Sequence, residues 1–131
     1  MPNAGDTFLA QPNSSSKPHL YVVISNPENN AGNVIHVNLT SKKEWSDCSC
    51  VLQPGDHPFV TRETVVNYAS ATMCEAVYID QAMGPTFYPR ALFPNTPVSN
   101  EVLERIQLGA LQSPLFPSGF KPVIEIEISG A

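Results

Sequence analysis

Along most of this chain the apolar residues run together or recur at every second position, the period of a strand. Only near residue 100 does the period lengthen to that of a helix. Asp6–Gln11 predicts a short first strand. His19–Ser25 is almost continuously apolar and β-branched, which predicts a strand buried on both faces. After the turn cluster Asn26–Gly32, the segment Asn33–Ser41 alternates. Ile35, Val37 and Leu39 fall on one face, and Val34, His36 and Asn38 on the other. These two strands and their Gly/Asn connection predict a hairpin. Ser49–Leu52 predicts a short strand, and Thr64–Met73 a longer one that bends near Asn67. Glu75–Asp80 reads equally as more sheet or as the start of a helix.

The helical period occupies Asn100–Gln112, with Ser99 as its cap, Glu101 and Glu104 near its positive end, and Leu103, Ile106 and Ala110 in its apolar stripe. Pro114 ends it. Val123–Ile128 alternates again and predicts a terminal extended strand, within a C-terminal arm spanning 113–131. Proline and glycine punctuate the remainder: 12–18 reads as a mobile polar loop, and Gly84–Pro97, with four prolines, as an irregular connection. The sum is a single mostly β domain over 1–131, a small antiparallel barrel with one helix near its C-terminus.

Composition narrows this reading. The chain has 131 residues, enough for a hydrophobic core without disulfide staples. Its 13 prolines argue against a helical bundle. A net charge of −5 argues against a protein that holds nucleic acid through its overall field, though not against a local patch. Three cysteines, Cys48, Cys50 and Cys74, are an odd number and do not suit a secreted disulfide framework. Cys48 and Cys50 are too close in sequence for the usual zinc knuckle. Met1–Asp6 has neither the basic start nor the apolar core of a secretory leader, and no run is long enough to span a bilayer. A cytoplasmic protein with no metal, no other cofactor and no membrane association is expected.

One window concentrates chemistry. Gly55-Asp56-His57-Pro58-Phe59 is a tight corner carrying a carboxylate and an imidazole, followed by Arg62 and then by Asn67 and Tyr68. His57 reads either as a residue that holds the turn through backbone or as a proton carrier. Tyr68 reads either as a groove-lining ring on which a base stacks or as a core ring with its hydroxyl at the rim. His36, within a strand, reads as a satisfied structural histidine. Trp45, in the charged loop Lys42–Asp47, is an aromatic suited to stacking on a base or anchoring a partner.

Several stretches together resemble the MazF/PemK-type toxins of bacterial toxin–antitoxin systems. Ala4-Gly5-Asp6-Thr7 is similar to the Gly-Asp opening of that family's first strand. Lys17–Ser25 is similar to its basic-Pro-x-apolar run ending in serine. Leu39-Thr40-Ser41 resembles its hydroxyl pair closing a strand, Thr64–Tyr68 its following strand, and Asn100–Leu111 its terminal helix. The resemblance covers most of the chain. It implies an SH3-like barrel, shared with the CcdB toxins, and a homodimer held in check by an antitoxin-like protein. It also implies metal-independent endoribonuclease activity on single-stranded RNA. The chain departs from the family at Val65 and Asn67, where the ribonucleases usually carry a basic residue and an acid. The alternative is therefore a barrel without catalysis that binds a protein or peptide.

On the ribonuclease reading, Thr40 and Ser41 donate to a phosphate and Arg62 neutralises it, with His57 or His19 moving the proton. Lys17, His19, Trp45, Asn67 and Tyr68 contact the RNA, and Lys17, Lys42, Lys43 and Arg62 form the local basic patch.

Overall fold

A computed structural model describes residues 2–10, 18–82 and 96–130. Residues 12–17 of the loop expected to be mobile, including Lys17, lie outside the described residues, as does most of the proline-rich connection.

Among the described residues, five antiparallel strands form one curled sheet: β1 (Thr7–Ala10), β2 (His19–Val23), β3 (Asn33–Ser41), β4 (Val51–Leu52) and β5 (Thr64–Glu75). Their order across the sheet is β1-β2-β3-β5-β4. The alternation read from β3 holds. Ile35, Val37 and Leu39 enter the main core with Leu20, Val22 and Val66, whereas Val34 enters a smaller cluster with Phe8 and Val23 on the other face. β2 contributes to both clusters, as its continuous apolar run requires.

β5 pairs with β3 along its whole length and with β4 at its start. Asn67 faces Asn38, but the next paired residue on β5 is Thr72, opposite His36. The extra residues form a bulge at the bend expected near Asn67, and a bulge of this kind raises the local twist that curls a sheet.

Among the described residues, three α-helices close the structure. α1 (Ala76–Ala82) continues directly from β5 and buries Ala76 and Ile79 in the smaller cluster, which resolves the ambiguity at Glu75–Asp80 towards helix. α2 (Asn100–Gln112) has the predicted bounds, and the Ser99 hydroxyl accepts a hydrogen bond from the Val102 amide at 3.2 Å. Its Val102, Ile106 and Ala110 fill the concave side of the sheet. Gly109 lets α2 approach closely: a side-chain carbon there would press into the Tyr68 hydroxyl, Cys50 and the Ser49 carbonyl.

The terminal extended strand expected at Val123–Ile128 is instead part of a helix, α3 (Lys121–Ser129). Pro122 sits at its start, where a missing N–H costs nothing, and Gly130 ends it in the left-handed conformation at φ 71°. Ile124 enters the main core, and Phe120 and Val123 pack against it. Glu127 ties the helix to the β2–β3 turn by accepting from the Asn26 amide (2.6 Å) and from the side chains of Asn26 (2.9 Å) and Asn29 (3.0 Å). Alternation over six residues describes a strand equally well, but docking on α2 and the turn selects the helix.

Candidate functional site

Antiparallel pairing gathers one end of three adjacent strands. His19 opens β2, Thr40 and Ser41 close β3, and Thr64 opens β5 opposite Ser41. The next backbone bond, Lys42 amide to Glu63 carbonyl at 3.1 Å, carries the β3–β5 ladder one step further. The chain then turns over Lys43–Ser46. The Ser46 amide donates to the Lys43 carbonyl (3.2 Å), and the Lys43 amide donates to the Ser46 hydroxyl (2.8 Å). Glu44 and Trp45 form the tip of this turn, and Trp45 is 83% exposed.

Asp47 anchors the base of the loop by accepting from the Ser113 hydroxyl at the end of α2 and from the Ser49 amide and hydroxyl. Burial pushes the Asp47 carboxyl up, but these hydrogen bonds outweigh it and hold it below its ordinary value. A charged group is thus fixed beneath a tip that stays in water.

The tip and the strand ends border an open depression of about 850 Å³ lined by Lys42, Lys43, Glu44, Trp45, Cys48, Arg62 and Glu63. Three cations face two carboxylates there, in a chain whose net charge is −5. Lys42 bonds Glu63 at 3.3 Å, and Gln53 donates to the same carboxylate at 3.0 Å. Hydrogen bonds from Gln53 and Lys42, with the lysine charge, hold the Glu63 carboxyl below its ordinary value. The side chains of Lys43, Glu44, Trp45 and Arg62 have no hydrogen-bond or ion-pair partner among the described residues.

The nine residues singled out from sequence therefore separate. Arg62 and Trp45 line the depression. Thr40, Ser41 and His19 stand half-buried at the adjoining strand ends, with His19 Nδ1 3.3 Å from the Leu39 carbonyl. Asn67 lies at the bulge and donates to the Ser70 hydroxyl at 2.8 Å. Lys17 lies outside the described residues.

Tyr68 is fully buried. Its hydroxyl donates to the Ile106 carbonyl at 2.7 Å, and its ring packs edge-on against Phe116, so it offers no stacking face. Burial also pushes its hydroxyl pKa up.

His57 is equally committed. It is 3% exposed, with Nε2 2.7 Å from the Thr96 carbonyl and Nδ1 accepting from the Phe59 amide at 3.0 Å. The same carbonyl accepts the Thr7 hydroxyl, and Thr7 pairs with Val22, at the opposite end of β2 from His19. The corner is a structural joint. Gly55 supplies its positive φ of 104° after Pro54, and Asp56 bonds the Gln53 amide (2.8 Å) and Arg105 (3.2 Å).

Sequence reasoning missed Glu44 and Glu63 as site residues. The signal was present in the run Lys42-Lys43-Glu44-Trp45, in which a lone aromatic sits among charges without an apolar neighbour.

Among the described residues, no helix is long and apolar enough to cross a membrane, and no group of three or more His, Cys, Asp or Glu is placed to hold a metal ion. Comparison of the chain with protein-family models, with curated proteins and with solved structures finds no match in any of the three.

Proposed function

We propose that this protein binds single-stranded RNA in the depression beneath Trp45 and cleaves it there without a metal, as the toxin-like component of a toxin–antitoxin pair. The observation that carries the reading is the gathering of Lys42, Lys43 and Arg62 around an exposed tryptophan, beside strand ends bearing His19, Thr40 and Ser41. Cationic side chains take the phosphates, and an aromatic face takes an unstacked base, which a duplex does not offer. Neighbouring strands lie about 4.8 Å apart, so β2, β3 and β5 span roughly the reach of two nucleotides.

In cleavage, the 2′-hydroxyl loses its proton and its oxygen bonds to phosphorus. The bond from phosphorus to the 5′-oxygen breaks, and that oxygen takes up a proton. His19, at the adjoining start of β2, is the imidazole at this end of the sheet and moves the proton. Arg62 faces the charge that develops on phosphorus, and Thr40 and Ser41 supply hydroxyl donors.

The test is a labelled single-stranded RNA incubated with the protein in excess EDTA. Cleavage leaving 2′,3′-cyclic phosphate ends is expected, reduced about 100-fold by His19→Ala, together with growth arrest on expression. RNA that neither binds nor is cut sinks the reading.

A second reading is favoured by one observation. His57 is buried and bonded at both ring nitrogens, which removes the other candidate proton carrier. A barrel that binds without cutting gives RNA binding in the same assay with no cyclic phosphate product.

A further inference from the structure

We infer that the depression selects guanine among RNA bases, through a carboxylate placed beside the stacking ring. This rests on the RNA-binding reading above and names the base that the site takes. Glu44 and Trp45 are the two tip residues of one turn, and both line the depression. The turn is closed from both sides by Ser46, so the two side chains leave a fixed backbone rather than a loose loop.

The two carboxylates of the depression are not equivalent. Glu63 is engaged by Lys42 and Gln53, whereas Glu44 has no partner among the described residues. In a surface that otherwise offers cations to phosphate, a carboxylate not engaged by any described cation repels the backbone, so its contribution to binding lies at a base edge.

Base chemistry decides which edge. A carboxylate is an acceptor with two oxygens side by side. The Watson–Crick edge of guanine carries two adjacent donors, N1–H and the N2 amine. Adenine and cytosine each present one donor next to an acceptor. Uracil presents a single donor between two carbonyls. Guanine alone meets both carboxylate oxygens at once while its ring lies on Trp45, and bases read on unpaired strands are held by this combination of stacking and edge contact.

The experiment uses Trp45, the single tryptophan of the chain, as its own reporter. Quenching of its fluorescence and anisotropy of the RNA are read together for uridine hexamers carrying one central guanosine, inosine or adenosine. The guanosine hexamer is expected to bind about tenfold more tightly than the adenosine one. Inosine, which lacks the N2 amine, falls between them. Glu44→Gln brings the guanosine hexamer down to the adenosine affinity, and circular dichroism checks that the variant is folded.

Equal binding of guanosine and adenosine hexamers with Trp45 still quenched overturns the guanine inference and leaves RNA binding standing, as does a preference that survives Glu44→Gln. Failure of every hexamer to bind overturns both.

Discussion

His36 sits on β3 facing the smaller cluster, edge-on to Phe8 and Tyr21 at centroid distances of 5.6 and 5.5 Å. Its Nδ1 is buried with no hydrogen-bond partner among the described residues, so the satisfied structural histidine expected from the sequence is structural but not satisfied there. Burial lowers its pKa to about 4 from 6.5. The folded state thus takes up a proton less readily than the unfolded chain. The stability tied to the neutral ring is complete above pH 6.5 and is lost as pH falls towards 4. A loss on the order of 2–3 kcal/mol is expected across that window. Urea midpoints measured at pH 7 and pH 4.5 test it: His36→Phe should flatten the difference, and an unchanged difference contradicts this account. The residue types at such positions were legible from sequence, but their environments were not. His57 and Tyr68 carry groups that serve equally in a site or a joint. Only the Thr96 and Ile106 carbonyls, 39 and 38 residues away in the chain, decide for the joint.

Where a helix meets the sheet, the decisive quantity is distance rather than propensity. In the interior of α2, Gly109→Ala gains about 1 kcal/mol of helix propensity. The added carbon meets the Tyr68 hydroxyl, Cys50 and the Ser49 carbonyl, and overpacking of this kind costs about 1–3 kcal/mol, more where backbone has to move. The substitution is therefore expected to lower the thermal midpoint, with partial recovery in the double variant with Tyr68→Phe. A raised midpoint for the single variant would mean that α2 can lift from the sheet freely. The α2 bounds were legible because its cap, its stripe and its stop agree. α3 was misread because Val-Ile-Glu-Ile-Glu-Ile fits a strand by period. The Asn26–Asn29 clamp on Glu127 lies about 100 residues away and leaves no local trace.

For the molecule as a whole, net charge and local charge oppose each other. A chain of net charge −5 repels RNA at long range, so binding at the depression should depend on close contacts by Lys42, Lys43 and Arg62 and should fall steeply with salt. Three phosphate contacts to a single strand give a slope of about −2 in log K against log salt concentration, and each alanine substitution among the three should reduce it by about 0.7. A salt-independent affinity would place the RNA elsewhere. The sequence by itself determined the antiparallel strands, the hairpin and the capped helix. These follow from period, turn residues and capping, all set within a few positions along the chain. Tertiary structure decided the rest. It turned the terminal alternation into a helix and took Tyr68 and His57 out of reach of a ligand. It also brought His19, Thr40, Ser41 and Arg62 to one end of the sheet beside the Glu44–Trp45 tip. These outcomes depend on strand register, burial and contacts between distant segments, and local pattern does not encode them.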